Sequence, residues 1–315
     1  MTASPQHAVD VLITTYRRPE YLVRCLDSLR TQTLAPARVV VVTRDTDAAT
    51  AGVVAEYAAR HPALNVLAVT VATPGVIAAN NAAYPHLRAE IVAFLDDDST
   101  APPEWLAMLA RHYADPLVGA VGGRIRNHRN GRLLYEKHVF TGKSNRIDMF
   151  GRMHPGQMYP FQGVWDVDFL VGCNMSFRGK ILPPCDAEII GDGYCYELDL
   201  CLIVQSLGYR IILDGAAVND HWSAPRQEGP QRNDPACVRG NNRYNESYVL
   251  AKHNLGMVWA ALRALFYWLP RDTAGWLMGR AFRPWHCLIS AFKGLYRGCV
   301  RGRSMRRRQV QRMKI

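Results

Sequence analysis

Three consecutive aspartates, Asp96-Asp97-Asp98, followed by Ser99, close a short apolar run, IVAFL. Adjacent carboxylates repel one another, and packing gives no reason for three of them. A hard divalent cation removes the repulsion, because Mg2+ and Mn2+ take oxygen ligands and share phosphate oxygens. The alternative is capping by Asp98 or Ser99 of a helix that opens near Pro102-Pro103-Glu104. A cap uses one acid and leaves two over. A second acidic pair, Glu197 and Asp199, precedes a segment whose apolar residues Leu200, Ile203, Val204 and Leu207 follow helical spacing. Acids at a helix start suit its dipole. A positioned carboxylate can also act as general base towards a hydroxyl. Asp192, in Gly191-Asp192-Gly193, reads as a turn residue.

These groups need elements to hold them, and strands and helices alternate along the chain. Val9–Thr14 is a β-rich run, and Pro19 opens a helix with Leu22, Cys25, Leu26 and Leu29 on one face. Residues 39–42 are four valines, the mark of a strand buried on both faces. A helix is expected over 48–60, a strand over 65–71 and a short helix over 76–83. A strand over 91–95 and a helix over 102–113 follow. This alternation implies an α/β fold with a mostly parallel sheet and helices on both faces. Such sheets bind ligands at the carboxyl ends of their strands, which is where the three aspartates stand.

With these segments in order, the sequence resembles glycosyltransferase family 2, nucleotide-sugar-dependent inverting enzymes with the GT-A fold. VDVLITTYRRPEYLVRCLDSLRTQT resembles the family's opening strand and helix, and IVAFLDDDSTAPPEWLAML its metal-binding DxD segment. GAVGGRI and VGCNMSFRG resemble later strands, and YCYELDLCLIVQSLGYRI with Asp220-His221 the catalytic acidic segment and the histidine beyond it. The resemblance covers roughly residues 8 to 225. It implies that Thr14, Thr15 and Tyr16 begin the nucleotide pocket. Arg18 either contacts the nucleotide or caps the following helix. Asp45 or Asp47 reads base or ribose, although Thr43-Arg44 replace the usual paired acids after the valines. Gly75 and Asn80 match the third βα segment, with Ala79 where an arginine is expected. Asp96 binds ribose or metal, Asp98 holds the cation bridging the diphosphate, and Asp97 assists.

The catalytic segment departs from the usual Glu-Asp pair and reads Tyr196-Glu197-Leu198-Asp199. Alignment on Asp199-Leu200 puts Glu197 at the base position, with Asp199 as its support or its alternative. His221 helps to hold the metal or the diphosphate, or is a structural histidine. Arg226 binds phosphate bidentately or supports its loop. The implied cofactor is Mn2+ or Mg2+, and the implied partners are a nucleoside-diphosphate sugar and a glycan or lipid-linked acceptor. The QxxRW motif of processive synthases is absent, so a single addition is expected. A sugar nucleotidyltransferase needs a glycine-rich loop where TTYRRPEY stands, and a dinucleotide-binding dehydrogenase needs GxGxxG. A non-catalytic scaffold on a degenerate transferase fold is the remaining rival.

The chain has 315 residues and a formal charge of +11. The charge is uneven: residues 252–315 carry 14 Lys/Arg and one acid, Asp272, a net +13, and the rest sums to −2. The expected organisation is therefore a catalytic domain over 1–251 and a basic helical extension over 252–315. Trp259, Trp268, Trp276 and Trp285 lie in that extension, and basic residues with indoles suit an anionic membrane surface. The rival reading is a helical cap on the body. No apolar run reaches the length of a membrane span; residues 255–269 are interrupted by Arg263. No nucleic-acid partner is expected, since such a partner would not explain DDDS or a body at −2. The N-terminus lacks a signal-peptide pattern, and the eight cysteines form no CxxC pair. Reduced thiols, mostly in the core, and a cytoplasmic enzyme peripheral on the inner face of the cell membrane are expected.

Overall fold

The computed structural model describes residues 7–225, 235–255, 258, 261–262, 264–278 and 283–312. The chain forms two compact units: Met1–Arg146 with His154–Cys185 and Leu200–Gln227, and Ile147–Met153 with Asp186–Asp199 and Glu228–Ile315.

The first unit is built on a ten-stranded sheet. Its strands are β1 (Val9–Thr14), β2 (Arg38–Arg44), β3 (Val66–Val71), β4 (Ile91–Phe94) and β5 (Ser99–Thr100). β6 (Val118–Arg129), β7 (Arg132–Leu133), β8 (Val164–Asp166), β9 (Met175–Arg178) and β10 (Arg210–His221) complete it. The main path runs β8-β10-β6-β9-β4-β1-β2-β3, with β5 on β10 and β7 on β6. β4, β1, β2 and β3 are mutually parallel, as are β6 and β10, and β9 enters antiparallel between β4 and β6. The valines of β2 are buried, as two-sided burial requires, and the edge strand β3 is only partly covered.

Helices α1 (Pro19–Arg30), α2 (Ala48–Arg60), α3 (Val76–Ala83) and α4 (Trp105–Ala110) flank the sheet. α1 buries Leu22, Cys25, Leu26 and Leu29 against the core, on the face their spacing predicts. α4 is shorter than expected. The expected start at Pro102 is a turn, and residues 111–114 tighten into a 3-10 turn. The side chain of Gln32 sets this start. Its Oε1 accepts from the Leu106 amide at 3.0 Å, and its Nε2 donates to the carbonyls of Ala101 and Pro102. A residue on another element thus does the capping, and neither Asp98 nor Ser99 does; Ser99 belongs to β5.

The second unit is helical, with α6 (Pro235–Lys252), a π-helical turn over Ala264–Trp268, α7 (Leu269–Leu277) and the long α8 (Pro284–Arg312). α5 (Tyr196–Ser206) begins in this unit and ends in the first. α6 and α8 approach closely through glycine. A Cβ on Gly294, Gly298 or Gly302 would stand 2.2, 2.2 or 2.3 Å from the carbonyl oxygens of Tyr244, Tyr248 and Lys252. Lys252 ends α6 buried between Asp186 and Asp199. Asp272, the one acid of the basic segment, is fully buried and paired with Arg239 at 3.3 Å. Among the described residues no disulfide forms, and six of the eight cysteines are buried. Among the described residues, no helix is long and apolar enough to cross a membrane.

Candidate active site

The DDDS segment leaves the end of β4 and turns back as β5. β5 pairs antiparallel with the end of β10, setting His221 opposite Ser99. That register delivers the histidine: His221 Nε2 lies 3.2 Å from Asp98 Oδ1 and 3.8 Å from Asp96 Oδ2. The Trp222 amide donates to the Asp98 carbonyl at 2.8 Å, and the Ala224 amide to Asp98 Oδ2 at 2.9 Å. Asp98 is therefore held by the β10 end from both its backbone and its side chain.

The loop after β1 supplies the other partners. The Thr15 hydroxyl donates to Asp97 Oδ2 at 2.7 Å. The Arg18 guanidinium reaches Asp97 Oδ1 at 3.0 Å and Asp98 Oδ2 at 3.4 Å. Repulsion among the three acids is thus offset in part by Arg18, which makes no side-chain cap on α1. Both oxygens of Asp97 are taken inside the protein, so Asp97 ties the β1 loop to the aspartate turn rather than facing a ligand. Asp96 keeps the half-exposed position.

The charges respond to this arrangement. Burial raises Asp98, but the His221 bond and charge, the Ala224 amide and Arg18 outweigh it and hold the carboxyl below its ordinary value. Desolvation, and then the Asp98 charge, push Asp96 up to about 6. Burial pushes Asp97 up to about 7 against the pull of Arg18. Burial lowers His221, but its contact with Asp98 and the charges of Asp98 and Asp96 raise it overall.

One ligand atom each from Asp96, Cys173 and His221 lie within 4.8 Å of one another. Oxygen, imidazole nitrogen and sulfur together suit a divalent transition cation. The carboxylate and imidazole fit the Mn2+ that the aspartate motif implies, whereas the Cys173 sulfur is a softer donor than that ion prefers. Nothing in residue spacing singles out Cys173, which enters from the turn before β9.

Residues 10–183, more than half of the chain, match the profile of glycosyl transferase family 2. The chain belongs to glycosyltransferase family 2. This family 2 enzyme is 28% identical over 244 residues, 70% of each chain, to the putative glycosyltransferase EpsH of Bacillus subtilis (strain 168). It is 29% identical over 122 residues, 38% of this chain and 39% of the relative, to the succinoglycan biosynthesis protein ExoM of Rhizobium meliloti (strain 1021). Its fold matches the mannosyltransferase PcManGT of Pyrobaculum calidifontis, solved with GDP-Man and Mn2+, at TM-score 0.56 and 18% identity, covering 95% of this chain and 88% of that one. GalNAc-T7, solved with UDP, GalNAc and Mn2+, matches at TM-score 0.57 and 13% identity over 80% of this chain and 51% of that one. The fold is GT-A.

The remaining candidates of the family 2 enzyme divide by environment. Thr14 ends β1, and Tyr16 follows with the Arg17 guanidinium 5.0 Å from its ring centre. Asp47 is the N-cap of α2, accepting from the Thr50 amide at 3.3 Å and the Arg17 amide at 2.5 Å. Both of its oxygens accept from backbone amides. Asp45 stays outward, 3.6 Å from Arg44. Gly75 precedes α3 at φ 106°, a conformation closed to most side chains. Asn80 is 2% exposed and packs on the Cys185 sulfur at 3.8 Å, so the expected substrate contact is an interior residue. Arg226 lies outside the described residues.

Glu197 sits half-buried in the first turn of α5, two residues after Cys195, whose φ of 74° is left-handed. A non-glycine residue in that region costs about 1–3 kcal/mol, and such strain gathers at functional sites. Asp199 is 1% exposed, with Oδ2 at 2.7 Å from Lys252 Nζ and Oδ1 at 2.7 Å from His253 Nε2. Both oxygens are engaged, so Asp199 anchors this turn.

Proposed function

We propose that this enzyme moves one sugar, with inversion, from a nucleoside-diphosphate sugar to a hydroxyl of a glycan or lipid-linked acceptor. The observation that carries the reading is the pairing of Asp98 with His221 beside Asp96 at the carboxyl end of β4. Asp96, Asp98 and His221 would hold Mn2+ or Mg2+, and the imidazole favours Mn2+. When bound, the cation offsets charge on the departing nucleoside diphosphate. Thr14, Thr15 and Tyr16 line the start of the nucleotide pocket. Asp45, the acid left unspent by capping, reads base or ribose. Gly75 lets backbone come close to the donor. Arg18 adds positive charge beside the phosphates while bracing Asp97 and Asp98.

Glu197 takes the proton of the acceptor hydroxyl as that oxygen attacks the anomeric carbon from the face opposite the leaving diphosphate. Attack from that face inverts the configuration. Asp199, Lys252 and His253 keep the turn bearing Glu197 in place. The GDP-Man, UDP and Mn2+ named with the two structural neighbours support a nucleotide-sugar donor and a divalent cation. The name of one curated relative, a succinoglycan biosynthesis protein, supports a role in polysaccharide assembly. A cytoplasmic enzyme working against the inner face of the cell membrane, through residues 252–315, fits a lipid-linked acceptor.

The deciding experiment is a thermal-shift screen of nucleoside-diphosphate sugars with Mn2+, since a bound donor raises the melting temperature by mass action. One donor is expected to stabilise the wild type only with the cation present, and Asp98→Ala to lose the shift. An Mn2+-dependent shift of full size in Asp98→Ala would overturn the assignment of the metal site.

A further inference from the structure

α8 presents two faces with opposite use of side-chain size. Its inward face is small: Gly294, Gly298 and Gly302 lie against the α6 backbone, with Ala291 buried beside them. Leu295 is buried with Leu250 and Ala251, but five other large apolar residues point elsewhere. Trp285, Ile289, Phe292, Tyr296 and Val300 are 68, 53, 39, 73 and 54% exposed. At about 100° per residue these five positions fall within about 80° of arc, a continuous stripe along four turns. Among the described residues this stripe stays exposed, and apolar patches of this extent on soluble surfaces mark interaction sites.

The charges say what would cover it. Residues 273–315 contain 11 Lys/Arg and no Asp or Glu. Lys293 flanks the stripe on α8 and is exposed, and Arg303 continues its line. A second copy of this chain would bring one strongly basic surface against another. An anionic bilayer offers the opposite charge together with an interface that favours indole and phenol rings. Crossing the bilayer is excluded for this helix by its polar content. We propose that α8 lies in the plane of an anionic membrane, with Trp285, Ile289, Phe292, Tyr296 and Val300 inserted at the headgroup–acyl boundary and Lys293 and Arg303 on lipid phosphates.

The test uses the full chain and two vesicle compositions, phosphatidylcholine alone and phosphatidylcholine with phosphatidylglycerol. Cosedimentation is expected only with the second, weakening as salt rises. The triple variant Trp285→Ser, Ile289→Ser, Tyr296→Ser is expected to lower partitioning roughly tenfold or more. Its far-ultraviolet circular dichroism should match the wild type, because all three residues are exposed. A second variant separates insertion from charge attraction. Trp285→Phe should keep binding but lose part of the fluorescence quenching by brominated acyl chains. Equal sedimentation of the triple variant and the wild type would overturn the proposal. So would a wild type that ignores both vesicles, or one that self-associates through the stripe without binding lipid. Vesicle binding is read without donor or acceptor, so either outcome leaves the transferase reading where it stands.

Discussion

Lys252 Nζ donates to Asp199 Oδ2 at 2.7 Å, joining the last residue of α6 to the first turn of α5. The same ammonium donates to Asp186 Oδ2 at 2.7 Å, where the Tyr248 hydroxyl also arrives at 2.7 Å. One buried cation thus serves two buried carboxylates, and His253 completes the set on Asp199.

Removing that cation should be costly. Lys252→Met keeps most of the volume but leaves Asp186 and Asp199 buried without their shared partner. Breaking a buried pair in this way costs about 3–5 kcal/mol. Urea unfolding at neutral pH should show a loss of that size.

The network also predicts sensitivity to acid. Burial raises Asp186, but the charge and hydrogen bond of Lys252, then the Tyr248 hydroxyl and the Glu188 amide, outweigh it and hold its carboxyl below the ordinary value. A folded-state pKa below the unfolded one contributes stability that is present above the unfolded pKa, about 3.9. That contribution is lost as pH falls through the lower, folded value. Melting temperature measured from about pH 6 to about pH 3 should fall for the wild type. Asp186→Asn, already weaker at neutral pH, should give a flatter curve over the same window.

Arg18 holds Asp97 and Asp98 together across the β1 loop. Arg18→Gln removes charge-assisted hydrogen bonds from two buried acids and should destabilise the protein by about 2 kcal/mol. Arg18→Lys, which keeps the charge without the planar fork, should recover part of that loss in the same denaturant titration.

Glu197→Gln separates chemistry from binding. Loss of a general base lowers turnover by about 100- to 10,000-fold. Steady-state kinetics with a responsive donor and acceptor should show this fall in kcat, and the donor-induced thermal shift should stay as in the wild type. Turnover within about threefold of the wild type would remove Glu197 from the base position.

Much of the first unit was legible because local chemistry and global position agree there. The apolar run of β1, the valines of β2 and the spacing on α1 each mark the element that forms. The helices over Ala48–Arg60 and Val76–Ala83 form with the expected bounds. The start of α4 was not legible, because Gln32, on a distant loop, decides it. Asp47 also carries a local capping signal. An aspartate immediately before a helix is an N-cap pattern, and it is used as one. His221 could be named from its segment, but its distance to Asp98 depends on a two-residue pairing of β5 with β10 that periodicity does not reveal. Cys173, Lys252 and His253 meet their partners only through the tertiary fold, so spacing carries no trace of them.

The glycines of α8 have one more consequence. With a Cβ at any of three positions facing an α6 carbonyl at 2.2 or 2.3 Å, only one azimuth of the helix lets the two backbones touch. Turning α8 by a single residue, about 100°, would press side chains into those carbonyls. The glycine ladder is thus an indexing device. By admitting nothing on one side, it decides which side the aromatic ridge must face.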